Sequence, residues 1–101
     1  MTRWRRWVFE IRAPADEFLQ LLQRGLTVRA VQVDPAEHFD FQARAFGARA
    51  FVKVSWVETG IELRAKVKSG LFASPAGLER LLLDAGREAQ AKLTFEKEAS
   101  R

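Results

Sequence analysis

Residues 61–68 alternate without exception between apolar and charged side chains, which is the clearest secondary-structure signal in the chain. Ile61, Leu63, Ala65 and Val67 form the apolar set. Successive side chains of a strand point to opposite faces, so the segment is predicted to be a strand with one buried face. Sheets that are covered on one face only are antiparallel, and the pattern therefore favours an antiparallel sheet.

Four more segments are predicted to be strands. The first places Trp7, Phe9 and Ile11 on one face, and two others also alternate. The remaining one is rich in β-branched residues, but its parity shifts, which a bulge would explain. These segments are residues 3–12, 26–33, 39–45 and 52–56, with breaks at Pro35, Gly47 and residues 58–60.

Two segments have helical patterns. The first begins near Pro14, has acidic residues in its first turn and is expected to end at Gly25. The second begins after Ser74 and is predicted to reach about residue 98. An extra edge strand over residues 92–97 is the alternative, and the Lys, Glu and Ala content there favours helix.

The predicted order defines a single α+β domain over residues 1–101. It comprises an antiparallel sheet of about five strands, a short N-terminal helix inserted after strand one, and a long C-terminal helix packed on one face. The length of 101 residues is enough for one hydrophobic core.

Composition excludes several classes of protein. The absence of cysteine rules out disulfides, thiolate metal sites and thiol nucleophiles. Glu10 and Arg12 interrupt the apolar residues after the basic N-terminus, so no signal peptide is predicted and a cytoplasmic location is expected. The lack of asparagine and cysteine fits a thermophilic protein and a GC-rich genome equally well.

The predicted order resembles the START-like helix-grip superfamily, which includes polyketide cyclases and lipid-transfer proteins. The resemblance is carried by the step Ala13-Pro14-Ala15-Asp16-Glu17-Phe18 into the first helix, and by "GIELRAKVKSG" leading to the last helix. It implies that a curved sheet and the C-terminal helix enclose an apolar cavity. This chain is a shortened member of that pattern, with about five strands instead of six or seven. The superfamily has no shared catalytic residues, so the resemblance implies binding and no particular activity.

Eight apolar residues would face the space between the sheet and the last helix. They would line a ligand pocket if the space is open, or form an ordinary core if it is filled. Sequence does not separate these alternatives, because both are built from the same residue types. The eight are Phe9, Phe18, Phe41, Val54, Trp56, Leu63, Leu78 and Leu82.

The polar parity of the strands carries a basic face that consists of Arg44, Lys53, Arg64, Lys66 and Lys68. A stripe of this kind can follow the phosphates of a nucleic acid. Proteins that bind single strands also expose aromatic rings on which bases stack. Here the strand parity predicts that the nearby aromatic residues are buried, which favours a merely solvated face. Those residues are Phe39, Phe41 and Trp56.

His38 is the only histidine, and Asp34, Glu37 and Asp40 lie close to it in sequence. The group could be a general base or part of a metal site. Zinc sites need three or four ligands at defined spacing, and only one nitrogen ligand is present. A polar turn is therefore favoured, with no metal, no cofactor and no catalytic residue predicted.

The opening "TRWRRW" is interpreted as the frayed start of the first strand. In this register Trp7 points inward, and Trp4 and Arg6 point outward. The two tryptophans would then lie on opposite faces, which argues against a membrane-inserting wedge. The exposed Trp4 is a candidate contact residue for a partner.

The sequence supports three hypotheses of function. The first is a cytoplasmic, non-enzymatic START-like domain that binds an apolar small molecule or lipid between sheet and C-terminal helix. The second is a basic module that binds nucleic acid or an acidic protein partner through the open sheet face, with affinity that falls steeply with salt. The third is dimerisation through a sheet edge, so the chain is expected to be a monomer or a homodimer.

Overall fold

Every predicted strand has a counterpart in the structure, and both predicted helices are present. A computed structural model describes residues 1–99. The fold is α+β, with one antiparallel sheet, a short helix after the first strand and a long C-terminal helix, as the sequence predicts. The elements are β1 (Thr2–Phe9), α1 (Ala15–Val28), β2 (Gln32–Asp34), β3 (Phe41–Ala45), β4 (Ala48–Val57), β5 (Gly60–Ser69) and α2 (Pro75–Ala99).

The sheet has the strand order β1-β5-β4-β3-β2. Strands β2 to β5 form an antiparallel meander. Strand β1, the first in the chain, pairs with the last strand, β5, at the edge of the sheet. The β1–β5 register sets Trp4 opposite Lys66, and the β4–β5 register sets Phe51 opposite the same lysine. Residues that are far apart in sequence therefore become neighbours on one face.

Helices α1 and α2 cover one face of the sheet. Inward side chains of the strands form a single core with the apolar stripes of both helices, including Leu22 of α1 and Leu82 of α2, both fully buried. Neither of the described helices lies on the other face, which we call the open face. Within residues 1–99, no helix is long and apolar enough to cross a membrane.

The first helix is longer than the sequence suggested, and β2 is correspondingly shorter. Gly25 was expected to end α1, but the helix continues to Val28 and Gly25 is buried inside it. In place of the predicted strand 26–33, β2 comprises only Gln32–Asp34, which pair with β3. The physical reason is a helix–helix contact: a Cβ on Gly25 would lie 3.3 Å from Cβ of Ala85, so glycine permits a close approach between α1 and α2.

The last helix is continuous, which decides between the two interpretations of residues 92–97. They are helical and belong to α2, and no extra edge strand forms there. The α2 residues Leu78, Leu82, Ala85 and Ala89 are buried and form its apolar stripe, with Leu81 half-buried beside them. Glu79 anchors the helix to β1, because its buried carboxylate accepts a hydrogen bond from Nε of Arg3 at 2.8 Å.

Candidate nucleic-acid interface on the open face

The residues predicted to line a pocket lie in two different environments. Six of the eight are buried in the common core, and Val54 is half-buried against it. The prediction that Trp56 is buried between the sheet and the last helix is wrong, because its side chain is 58% exposed. Alternation assigns Trp56 to the helix-covered face, but it lies next to the β4–β5 turn, at an end of the sheet where it lines an open groove. The six core residues are Phe9, Phe18, Phe41, Leu63, Leu78 and Leu82.

Packing between the sheet and α2 is tight around Phe9. Its ring lies 5.3 Å, centroid to centroid, from that of Phe18. A Cβ added to Gly86 of α2 would lie only 2.5 Å from Cζ of Phe9, so the ring occupies the space next to the helix backbone. This contact favours a filled core at that point. A ligand between sheet and helix stays a prediction.

The groove beside Trp56 has a volume of about 530 Å³. It is lined by the segment after β1 and by the β4–β5 turn, and its described lining includes no residue of α2. It is therefore a different feature from the cavity that the START-like resemblance implies. Both Glu10 and Glu58 line it together with Arg12, so its charges are mixed.

The open face carries two rows of basic side chains that run across the strands. In the first row, Lys53 of β4 and Arg6 of β1 both lie opposite Arg64 of β5. In the second row, β3, β4 and β5 each contribute one cation. Adjacent same-face positions along a strand are about 7 Å apart, so the rows lie on either side of a single central row. The second row consists of Lys68, Arg49 and Arg44.

All five residues of the predicted basic face lie on the open face. Arg44, Lys53, Arg64 and Lys68 are exposed, and Lys66 is half-buried in the central row. Alternation located this face correctly because β3, β4 and β5 are regular over these residues. Arg6 and Arg49 extend it and can be found by the same parity rule.

Aromatic rings lie in the central row and next to it. Trp4 and Phe51 flank Lys66 in this row, and Trp4 is 54% exposed. The ring of Phe39 lies between them, 6.4 Å from Trp4 and 5.5 Å from Phe51 between ring centroids. Of the aromatic residues predicted to be buried on the other face, Phe41 is buried, whereas Phe39 lies on the open face with Trp4 and Phe51.

Two features explain why the sequence does not predict Phe39 and Phe51 on the open face. Phe39 was assigned to a strand, but the strand begins only at Phe41, and His38 has a positive φ of 66°. The period of two does not apply across such a bend, so the ring of Phe39 reaches the open face. Phe51 lies one residue before the predicted strand 52–56, and β4 in fact begins at Ala48, so the parity of the strand includes Phe51 and assigns it to the open face.

Few carboxylates balance the cations of the open face. Glu62 interacts with both Arg6 and Arg64, and Asp34 lies 3.1 Å from Arg44. Among the described side chains, no carboxylate lies within 4.0 Å of the other four cations of this face. These four are Arg49, Lys53, Lys66 and Lys68.

His38 and its neighbouring carboxylates do not assemble into a site. His38 is exposed, and its Nε2 lies 3.9 Å from Glu37. Asp40 accepts a hydrogen bond from the backbone N–H of Val54 at 2.7 Å, and Asp34 is paired with Arg44. Within the described residues, no three potential metal ligands come together.

No protein-family model matches this chain, and comparison with curated proteins and with solved structures finds no match. The resemblance to the START-like superfamily therefore stays a prediction.

Proposed function

We propose that this protein binds nucleic acid through the open face of its sheet. The observation that carries the proposal is the side-by-side placement of like charges in the two basic rows. Like charges directly opposite each other on neighbouring strands reduce stability by a few tenths of a kcal/mol per pair. A polyanion that binds across the rows would relieve this repulsion and release counterions.

A nucleic acid fits this face better than an acidic protein partner does. Both would satisfy the cations, but the rings of Trp4, Phe39 and Phe51 lie between the two basic rows. Bases and sugars offer flat or apolar surfaces to such rings, and their phosphates lie a short distance away. Carboxylate side chains offer only the charge.

The test measures the dissociation constant for a fluorescein-labelled 12-nucleotide DNA, both single-stranded and as a duplex, over a range of salt concentrations. For at least one form, the affinity is expected to fall steeply with salt. Replacing Lys53 and Lys68 together by glutamine should weaken binding. It should also lower the slope of log K against log salt by about 0.7 to 0.9 for each phosphate contact that is lost.

A matched control is the double variant Arg24→Gln and Arg87→Gln. Both arginines are exposed on the helices, on the other side of the sheet, and the double variant loses the same formal charge. It should bind like the unmodified protein. The proposal is wrong if neither DNA form binds, or if both double variants weaken binding equally. Poly-L-glutamate that binds as tightly as DNA would indicate an acidic protein partner instead.

A further inference from the structure

The aromatic rings of the central row are too far apart for the bases of a regular duplex. Neighbouring ring centroids are separated by 6.4 Å and 5.5 Å, and the rings are tilted to each other by 34° and 44°. Stacked bases in a duplex rise by about 3.4 Å per step and are nearly parallel. Bases that each lie on a different ring must therefore be separated from one another.

Cations lie over two of the same rings. The guanidinium of Arg64 is 5.4 Å from the Trp4 ring centroid, and Nζ of Lys66 is 5.9 Å from it. Nζ of Lys68 lies 5.5 Å from the Phe51 ring centroid. These cation–π contacts hold positive charge at the Trp4 and Phe51 rings. A base on a ring would thus have a phosphate-binding group within reach of its own nucleotide.

We propose that the ligand of the open face is an unpaired, single-stranded nucleic acid whose bases stack on the central row while the flanking cations hold its phosphates. The inference rests on the proposed function and narrows it to one class of nucleic acid. A duplex buries the faces of its bases in its own stack and offers only edges and phosphates to a protein. It could use the basic rows, but it would leave the exposed ring of Trp4 without a stacked base.

The chain supplies a matched pair of tryptophans for the test. Trp4 and Trp56 have nearly equal exposure, 54% and 58%, but only Trp4 lies on the open face. Trp4→Ala should weaken binding of the single-stranded 12-mer by about tenfold, which is within the range for the loss of one stacked base. Trp56→Ala should leave binding unchanged, and Trp4→Phe should restore most of the affinity.

The unmodified protein should bind the single strand at least about tenfold more tightly than the duplex of the same sequence. Circular dichroism of each variant shows whether it folds. If Trp4→Ala is unfolded, Phe51→Leu is used in its place, because it removes a ring of the same row while it keeps an apolar side chain.

The outcomes separate the two proposals. If both DNA forms bind equally well, or if folded ring variants bind the single strand as the unmodified protein does, the inference of stacked single strands is wrong and the basic-face proposal still stands. If neither form binds, the proposed function itself is overturned. A weaker single-strand affinity in Trp4→Ala, with little change in duplex affinity, supports both.

Discussion

Gly86 shows how one residue can reverse an expectation based on helix propensity. Glycine inside a helix costs about 1 kcal/mol relative to alanine, so the sequence suggests a weak point in α2. In the structure this glycine makes room for the ring of Phe9, and a Cβ would lie 2.5 Å from Cζ. The unfavourable helix propensity of Gly86 is therefore offset by a close contact between β1 and α2.

We expect Gly86→Ala to lower the free energy of unfolding by about 1–3 kcal/mol, as overpacked cores do, although alanine is the better helix former. Urea denaturation followed by circular dichroism measures the change. Gly70→Ala is the control, because nothing lies within 4 Å of the added Cβ. It should change stability by less than about 0.5 kcal/mol. A stabilised Gly86→Ala protein would show that the core next to Phe9 is not filled.

The end of α1 is set by Ala30, and no glycine marks it in the sequence. The backbone N–H of Val31 donates to the carbonyl of Leu26 and that of Ala30 to Thr27, both at 3.0 Å. This is a Schellman motif, which needs a left-handed residue after the helix. Ala30 adopts that conformation with φ of 63°, although glycine is the usual residue there.

Replacing Ala30 by glycine should raise the free energy of unfolding by about 1 kcal/mol, because glycine adopts a left-handed conformation without the steric cost of a Cβ. The matched control is Ala91→Gly, at an exposed position within α2 where φ is helical. That change should destabilise by about 1 kcal/mol. Thermal or urea denaturation of the pair measures both. Destabilisation by both changes would contradict the assigned end of α1.

The two helices are held together by a polar contact as well as by their apolar stripes. Arg29, at the end of α1, lies 2.6 Å from Glu88 of α2, and Lys92 lies 3.0 Å from the same carboxylate. The hydrogen bond from the Arg29 side chain, together with that from Lys92 and the two positive charges, lowers the pKa of Glu88 below its ordinary value. The folded state thus favours the ionised form.

This shift predicts how the stability of the whole molecule depends on pH. In acid the unfolded chain binds a proton at Glu88 before the folded protein does. The contribution of Glu88 to stability is therefore complete above about pH 4.5 and is lost as pH falls through the lowered pKa. Glu88→Gln should be less stable than the unmodified protein near pH 6, and the difference should shrink towards pH 2–3.

Urea denaturation at a series of pH values measures this difference. Glu58→Gln is the control, because Glu58 lies in the β4–β5 turn and has no ion pair among the described side chains. A difference between Glu88→Gln and the unmodified protein that stays constant down to pH 2 would contradict the assigned role of Glu88.

Local patterns were sufficient to predict the α+β class, both helices and the faces of the regular strands. Alternation in β5 identifies which side chains share a face, because the period of two is a property of the extended backbone. The same rule correctly placed Trp4 outward and Trp7 towards the helices. It failed at Phe39, where the backbone bends before β3 begins. At Trp56 it gave the correct face but not the exposure, because the residue lies at an open groove at the end of the sheet.

Strand order and register were decided only in the tertiary structure. Alternation assigns Trp4 and Phe51 to a face, but it does not say that β1 lies beside β5 or that both residues flank Lys66. That pairing joins segments about sixty residues apart and follows from burial of the whole core, including the contact of Phe9 with Gly86. The sequence therefore specifies what each face is made of. Only the tertiary structure determines which rings and charges are neighbours on a face. Neighbours on adjacent strands depend on how the whole core packs, and local sequence patterns contain no information about that packing.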